Sequence, residues 1–476
     1  MIKNWLTRYT LRYPRSLVYM LQASEYSTRD YLNWYHQTKD FTRVERRKQL
    51  VRTPKSLLML SIAWLIIFLL AGTVVYLFWS GAANKYAFLL LIIVSAPFIL
   101  AYGIIIPLLV IQAFIQWPIQ YVIIRQARNR LRSHAGLKIA IAGSYGKTSM
   151  REILRTVLSQ GKKVAAPPHS YNTPLGISQF IKGLKGDEEV LVFEFGEYYP
   201  GDIRALCELV QPDMGIITGI NEAHLEKFKS LKKTAGTIFE LAQWLGNKPL
   251  YFNADNELTR KNAAVSHIGY SRRGVGGWKV ENPVTGLAGT EFTLAKNDQK
   301  IFCSSRLIGL HQVGPLTAAV DIAVKVGMPL DEIQKGVRNT KPFDHRLLPT
   351  TDSSGVTTLD DSYNGNPDGV KAVIDFLADL KDCRRFYVTP GLVEMGPKSE
   401  AVHKEIGHEL AKARIEKVVL IRNSVTHWIE RGLKESNYHG EVLWFDDALT
   451  AFASLPHLTV KGDVVLLQND WPDQYQ

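Results

Sequence analysis

The residues best suited to chemistry stand together in Gly143-Ser144-Tyr145-Gly146-Lys147-Thr148-Ser149. Glycines let backbone N–H groups close around phosphate oxygens, a lysine supplies a point charge, and a hydroxyl after it can sit on Mg²⁺. Lys147 and Thr148 occupy those two places. Such a loop needs a strand in front and a helix behind. The apolar run LKIAIA over residues 137–142 predicts the strand, and MREILRTVLSQ, stopped by Gly161, predicts the helix. Two residues separate the glycines where the usual pattern has four, so the loop is a variant, and it predicts nucleotide binding.

The elements around that loop alternate. Short β-type runs (LKIAIAG, EVLVFEF, MGIITGI, PLYFN, HIGY) are separated by helical stretches, which predicts a mainly parallel sheet flanked by helices. Residues 272–307 are Gly-rich with short alternating runs and predict an antiparallel annex. The last part alternates again (VTTLDD, RRFYVTP, KVVLIRN, EVLWFD, DVVLLQN), predicting a second open, Rossmann-like α/β sheet. Glu194 ends the run EEVLVFEF, where α/β sheets present their ligands. Cys207, Cys303 and Cys383 form no CxxC or Cys/His pattern, which predicts small apolar residues in a reduced compartment, without disulfide or zinc.

A mean hydropathy of −0.06 over 476 residues hides a strong unevenness. Of the 57 Lys and Arg, 18 lie in residues 1–138, against 4 of the 45 Asp and Glu, so this part carries +14 and the rest −2. The charge is therefore an N-terminal property, and nucleic acid is not expected as a partner. Residues 56–79 carry no charge, and the chain is apolar again over residues 86–116, with Pro97, Gly103 and Pro107 inside. A bilayer core of about 30 Å needs ~20 apolar residues in a helix. The two runs predict a transmembrane hairpin, the second span kinked or tilted. Positive charges lie before the first span and after the second, with only Lys85 between, which predicts a two-pass protein of the cytoplasmic membrane with both flanks inside. Arg125, Arg128, Arg130 and Arg132 predict a stretch along the anionic inner leaflet, with membrane lipid as partner. Residues 1–55, rich in Tyr, Trp and Arg, suit either an interfacial arm or a solvated helical face.

Beyond the loop, an ordered series of motifs runs to the C-terminus: SYNTPLGI (170–177), VFEFGEYYPGDI (192–203), NEAHLEKFKSL (221–231), NADN (253–256), GTEFTL (289–294), HRL (345–347), LDDSYNGNPDGV (359–370) and EMGPKSEAVH (394–403). Together with GSYGKTS, this series resembles the Mur ligases, ATP-dependent amide ligases of bacterial cell-wall synthesis, from about Lys138 onward. The resemblance implies ATP and Mg²⁺, an acyl phosphate made on a precursor carboxylate, and an amine donor, most simply D-alanyl-D-alanine joined to a muramoyl peptide. It implies that Glu194 and His224, with Thr148, hold Mg²⁺, and that Lys147, His224 and Asn172 serve the chemistry. Asn253 and Asp255 would face the adenine or ribose, the alternative being a plain Asx turn. Arg346, Asp361 and Asn364 would close over ATP from the last domain, excluding water. The implied division is a basic arm (1–55), two spans (56–124), a basic linker (125–137), a central ATP-binding domain (138–341) and a C-terminal domain (342–476).

Four departures from the family pattern bear on the substrate. The family's uridine-nucleotide domain is replaced by the hairpin, so the acceptor is either UDP-linked or lipid-linked. Ala235 stands where a carbamylated lysine is expected, with Lys232 and Lys233 out of register, which predicts a single Mg²⁺ or another bridging group. His311-Gln312-Val313-Gly314-Pro315 replaces a His-Asn-x-x-Asn element, and Gln468-Asn469-Asp470-Trp471-Pro472 replaces a basic segment that helps hold the acceptor. Leu392 also takes the place of an acidic residue. Two other readings stay open: ligation or amidation of another acidic substrate, such as poly-γ-glutamate, and a noncatalytic ATP-binding scaffold at the membrane.

Overall fold

The structure, a computed structural model, describes residues 5–45, 49–81, 84–168, 171–222, 228–363 and 365–470. The chain divides into two compact units, the first running to Val122 and the second from Ile123.

In the first unit, α1 (Tyr13–Ala23) and α2 (Thr28–Gln37) precede two long apolar helices, α3 (Pro54–Trp79) and α4 (Lys85–Gly103). Thr53 and Ser56 cap α3 reciprocally, each side chain accepting the other's backbone N–H. The second apolar stretch stays helical through α5 (Ile105–Ile111), a wide turn at Gln112–Gln116 and α6 (Trp117–Arg132), with its break at Ile104 between Gly103 and Pro107. Pro97 does not end α4, but it has no N–H for the carbonyl of Ile93. That carbonyl accepts instead from the Tyr9 hydroxyl at 3.0 Å, and Tyr13 and Tyr31 donate to the carbonyls of Pro97 and Ala101. The arm thus packs against the apolar helices through these hydroxyls. Leu17, Leu21, Tyr31 and Trp34 are buried in one cluster with Met59, Ala63, Leu100 and Leu108 of the apolar helices. The outer faces of α3 and α4 stay apolar and exposed, as at Leu65, Phe68, Leu90 and Leu91.

The second unit contains, among the described residues, a ten-stranded and a six-stranded sheet. The first is formed by β1 (Leu137–Ala142), β2 (Val164–Ala165), β3 (Val190–Glu194), β4 (Met214–Ile217), β5 (Leu250–Asn253), β6 (Ile268–Ser271), β7 (Gly274–Val275), β8 (Trp278–Gly286), β9 (Gly289–Lys296) and β10 (Gln299–Ser305). Its order is β10-β9-β8-β7-β6-β5-β4-β1-β3-β2. Strands β1 to β6 pair in parallel and β7 to β10 antiparallel, so the expected annex continues the main sheet. The parallel strands read as unbroken apolar runs because helices cover both faces. After β1, α7 (Lys147–Leu158) buries Met150, Ile153, Leu154, Val157 and Leu158, the i, i+3, i+4 stripe that seats a helix on a sheet.

The second sheet is formed by β11 (Leu348–Thr351), β12 (Thr357–Asp361), β13 (Arg385–Thr389), β14 (Lys417–Ile421), β15 (Glu441–Phe445) and β16 (Val464–Gln468), in the order β11-β12-β16-β13-β14-β15. All its pairings are parallel except that of β11. The two strands without a sequence counterpart, β2 and β11, are short edge strands.

The arginine-rich stretch is not a loose linker. Ala127 and Leu131 are buried in the second unit's core. Arg130 donates to the carbonyls of Lys182 and Leu184, just past the end of α8 (Pro174–Lys182), where helix carbonyls lack partners. Arg128 lies 3.8 Å from Glu208, while Arg125 and Arg132 are exposed.

Candidate functional site

The strand order turns at β1, with β3 on one side and β4 on the other, and the loops after β1, β3, β4 and β5 meet at the carboxyl ends of the strands. A doubly wound sheet opens its ligand crevice at such a switch point. The phosphate loop is pinned there. Ser144 N–H donates to the Gly219 carbonyl at 2.8 Å, and the Thr218 hydroxyl donates to the Tyr145 carbonyl. Gly143, at φ +148°, has no room for a side chain, since a Cβ would lie 2.2 Å from Thr218 Oγ1. Gly146, at φ +74°, turns the chain into α7, whose first N–H groups have no partners within the helix. Ser149 lies in that first turn.

Carboxylates face the loop from the end of β3 and the segment after it. Thr148 Oγ1 donates to Glu194 Oε2 at 2.9 Å, and Arg151 Nη1 reaches the same oxygen at 3.2 Å. Lys147 Nζ lies 3.0 Å from Glu197 Oε1. Asn172 backs this segment: its carbonyl accepts from Gly196 N–H at 2.9 Å, and its side chain covers Gly196. Glu197 and Arg151 are the residues that sequence reading passed over. Glu197 was visible in VFEFGEYYPGDI, but no spacing rule points a residue three beyond Glu194 back at Lys147.

On the far side of the loop, Asn253 Oδ1 accepts from Asp255 N–H at 3.0 Å, and Asn253 Nδ2 donates to the Thr218 carbonyl at 2.9 Å. This is the Asx turn of the plainer reading. Asp255 Oδ2 accepts from Arg272 N–H at 2.7 Å. Asn256 caps Glu257–Asn262 and donates to the Tyr145 hydroxyl at 3.3 Å. Burial, then the charge of Asp368, raises the Tyr145 phenol above its ordinary value.

The C-terminal domain reaches the same place. Arg346 stacks over Tyr363 at 4.9 Å, and burial lowers its pKa against the opposing pull of Asp361, Tyr363 and Glu194. Asp361 ends β12 and accepts from Gln468 Nε2 at 2.7 Å; burial lifts its carboxyl to about 6. Asn469 ties Gly365 to Gly391, and Leu392 is buried against Gly365. The segments that depart from the family pattern therefore knit this domain's own loops. Asn221 Nδ2 donates to Asn366 Oδ1 and Asp368 Oδ2, both at 2.8 Å, and Lys398 pairs with Glu222 at 2.9 Å, fastening the domain to the loop after β4. His224 and Asn364 lie outside the described residues.

Ala235 is buried in the apolar core of Leu231–Ile238, while Lys232 and Lys233 are exposed. His311 sits in the turn Leu310–Gln312, and burial, aided by the Arg272 charge, lowers its pKa to about 4.

A polyphosphate with Mg²⁺ fits these donors. Ser144 Oγ is buried in the loop with no hydrogen-bond partner among the described residues, and Lys147 and Thr148 stand beside it. Among the described residues no group of three or more His, Cys, Asp or Glu could hold a metal alone. Mg²⁺ takes one or two protein oxygens and completes its shell with phosphate and water, and Thr148 and Glu194 offer such oxygens side by side.

A family profile described as the Mur ligase middle domain matches residues 141–323, and one described as Mur ligase, glutamate ligase domain, matches residues 345–468. The chain belongs to the Mur ligase family. This Mur ligase is 30% identical over 294 residues to the UDP-N-acetylmuramoyl-tripeptide--D-alanyl-D-alanine ligase of Mycobacterium tuberculosis, covering 60% of this chain and 58% of the relative. The chain thus spans less than two thirds of that relative's length. Its fold matches solved MurF from Acinetobacter baumannii at a TM-score of 0.65 and 22% identity, over 74% of this chain and 77% of the other. MurF ligase from Thermotoga maritima, solved in complex with ADP, gives 0.65 and 23%, over 74% and 80%. Residues 1–140 of this Mur ligase lie outside both profiles.

Proposed function

We propose that the chain is an ATP- and Mg²⁺-dependent amide ligase that joins an amine to the carboxylate of a cell-wall peptide precursor, in its simplest form D-alanyl-D-alanine to a muramoyl tripeptide. The observation that carries this reading is the meeting of Lys147, Thr148 and Glu194 at the switch point with Arg346 and Asp361 of the C-terminal domain. ATP would give its terminal phosphoryl group to the acceptor carboxylate, releasing ADP and leaving an acyl phosphate from which the amine displaces phosphate, and Thr148 and Glu194 would hold a Mg²⁺ that offsets the charge on the phosphates.

The chain's own part is positioning and neutralisation. Ser144 and the first N–H groups of α7 bind phosphate oxygens, and Lys147 adds a positive charge at their centre. Arg346 brings a second from the opposite wall. The Asn221 and Glu222 contacts hold that wall in place and keep water from the activated acyl group. Asn172, Asn253 and Asp255 line the acceptor and nucleoside sides in this reading, and His224 and Asn364 complete the set.

The exposed apolar α3 and the long helical run from Lys85 to Arg132 support insertion of the first unit in the cytoplasmic membrane as a hairpin. They also favour a second reading of the acceptor as lipid-linked, because the precursor's carboxylate would then be delivered at the membrane surface. Purified full-length protein with ATP, Mg²⁺ and D-alanyl-D-alanine is offered UDP-linked and lipid-linked muramoyl tripeptide. Release of ADP and phosphate that needs both acceptor and amine is expected, with mass spectrometry identifying the extended peptide. Turnover indifferent to every acceptor would overturn the reading.

A further inference from the structure

Glu197 is 2% exposed, and its two carboxylate oxygens lie 3.0 and 2.9 Å from Lys147 Nζ. The same ammonium donates to the Gly143 carbonyl of its own loop. Burying a carboxylate or an ammonium alone is costly, and each here meets the other's need. The carboxylate does not ride on a loose tip. Gly196 N–H is bonded to Asn172, and the N–H groups of Tyr198 and Tyr199 donate to Asp202 at 2.9 and 2.8 Å. An anchored anion therefore occupies the lysine on which an incoming polyphosphate depends.

We propose that Glu197 is a positioning residue: it holds Lys147 folded against the phosphate loop until a nucleoside polyphosphate takes its place, and so sets the loop's affinity for nucleotide. This rests on the nucleotide-binding reading above. A polyphosphate carries more negative charge than one carboxylate and wins the ammonium, but each binding event first breaks a charge-assisted pair. The pair also keeps the empty loop neutral, so that a lone phosphate or carboxylate gains less there than a nucleotide does.

The test is titration calorimetry of full-length protein with ADP, once with Mg²⁺ and once with EDTA. Glu197→Gln should tighten ADP binding about tenfold, equal to ~1.4 kcal/mol, under both conditions. The gain should vanish in a Lys147→Ala background, as a double-mutant cycle requires of a direct pair. An unchanged or weaker affinity overturns the inference. So does a loss seen only with Mg²⁺, which would make Glu197 a metal ligand, or a gain that survives Lys147→Ala. Should Glu197→Gln not fold, Glu197→Asp, with its charge drawn back by one methylene, has to show a smaller gain in the same direction, and its absence overturns the inference too. No ADP binding by the wild type removes the nucleotide-binding reading itself, an outcome distinct from binding that ignores the substitution.

Discussion

Thr148 Oγ1 donates to Glu194 Oε2 at 2.9 Å, tying the first turn of α7 to the last residue of β3. The hydroxyl and the carboxylate that the proposed Mg²⁺ needs are therefore preset at one point. Thr148→Ala should lower acceptor-dependent ADP release by about 10²–10³, the usual cost of one preorganised electrostatic group, while Thr148→Ser keeps most of it. Glu194→Gln should also destabilise the fold by about 1–3 kcal/mol, because it removes one of the carboxylates, Glu152 being another, that pair with buried Arg151. Steady-state kinetics and thermal unfolding on the same preparations separate the two effects.

Gly219 has the ring of Tyr145 packed directly on its backbone, where an added Cβ would lie 2.3 and 2.4 Å from ring carbons and 2.5 Å from the hydroxyl oxygen. Gly219→Ala should cost about 1–3 kcal/mol by overpacking and displace the phosphate loop, weakening ADP binding. Adding Tyr145→Ala relieves the clash. The double variant should melt above Gly219→Ala alone, and additive losses would show that the contact is not the cause.

Two buried groups give opposite pH dependences. Asp361, lifted to about 6 from a lower unfolded value, adds stability below about pH 4 that is lost as pH rises through 6. His311, lowered to about 4, adds stability above about pH 6.5 that is lost as pH falls toward 4. Each is worth on the order of 2–3 kcal/mol across the window. Melting curves from pH 4.5 to 7.5 should rise more steeply with pH in Asp361→Asn than in wild type, and less steeply in His311→Gln.

The carbonyl of Ile93, which Pro97 leaves without a donor, takes the Tyr9 hydroxyl at 3.0 Å. Tyr9→Phe should cost about 1 kcal/mol and loosen the arm, seen as faster amide exchange in α1. In a Pro97→Ala background, where residue 97 supplies the N–H, the same substitution should cost less. Equal costs in both backgrounds would disprove the compensation.

Much of the second unit was legible in the chain. The unbroken apolar runs of β1, β3, β4 and β5 and the stripe on α7 follow from burial on both faces of a parallel sheet, which leaves no room for polar alternation. The two-residue β2 and the edge strand β11 carry too little pattern to show themselves. The charge of Arg130 was visible in the chain, but its carbonyl partners, more than fifty residues away in sequence, were not.

The order of residues alone determined the phosphate loop, the alternation of strands and helices, the apolar hairpin and the family motifs, since each rests on neighbours a few positions apart. Only the tertiary structure decided that Glu197 faces Lys147, that Tyr9 serves the Ile93 carbonyl left stranded by Pro97, and that Asn221 grips Asp368. Those pairs span from 50 to 147 positions, and which side chains meet across such distances depends on sheet order and packing, which no local pattern encodes.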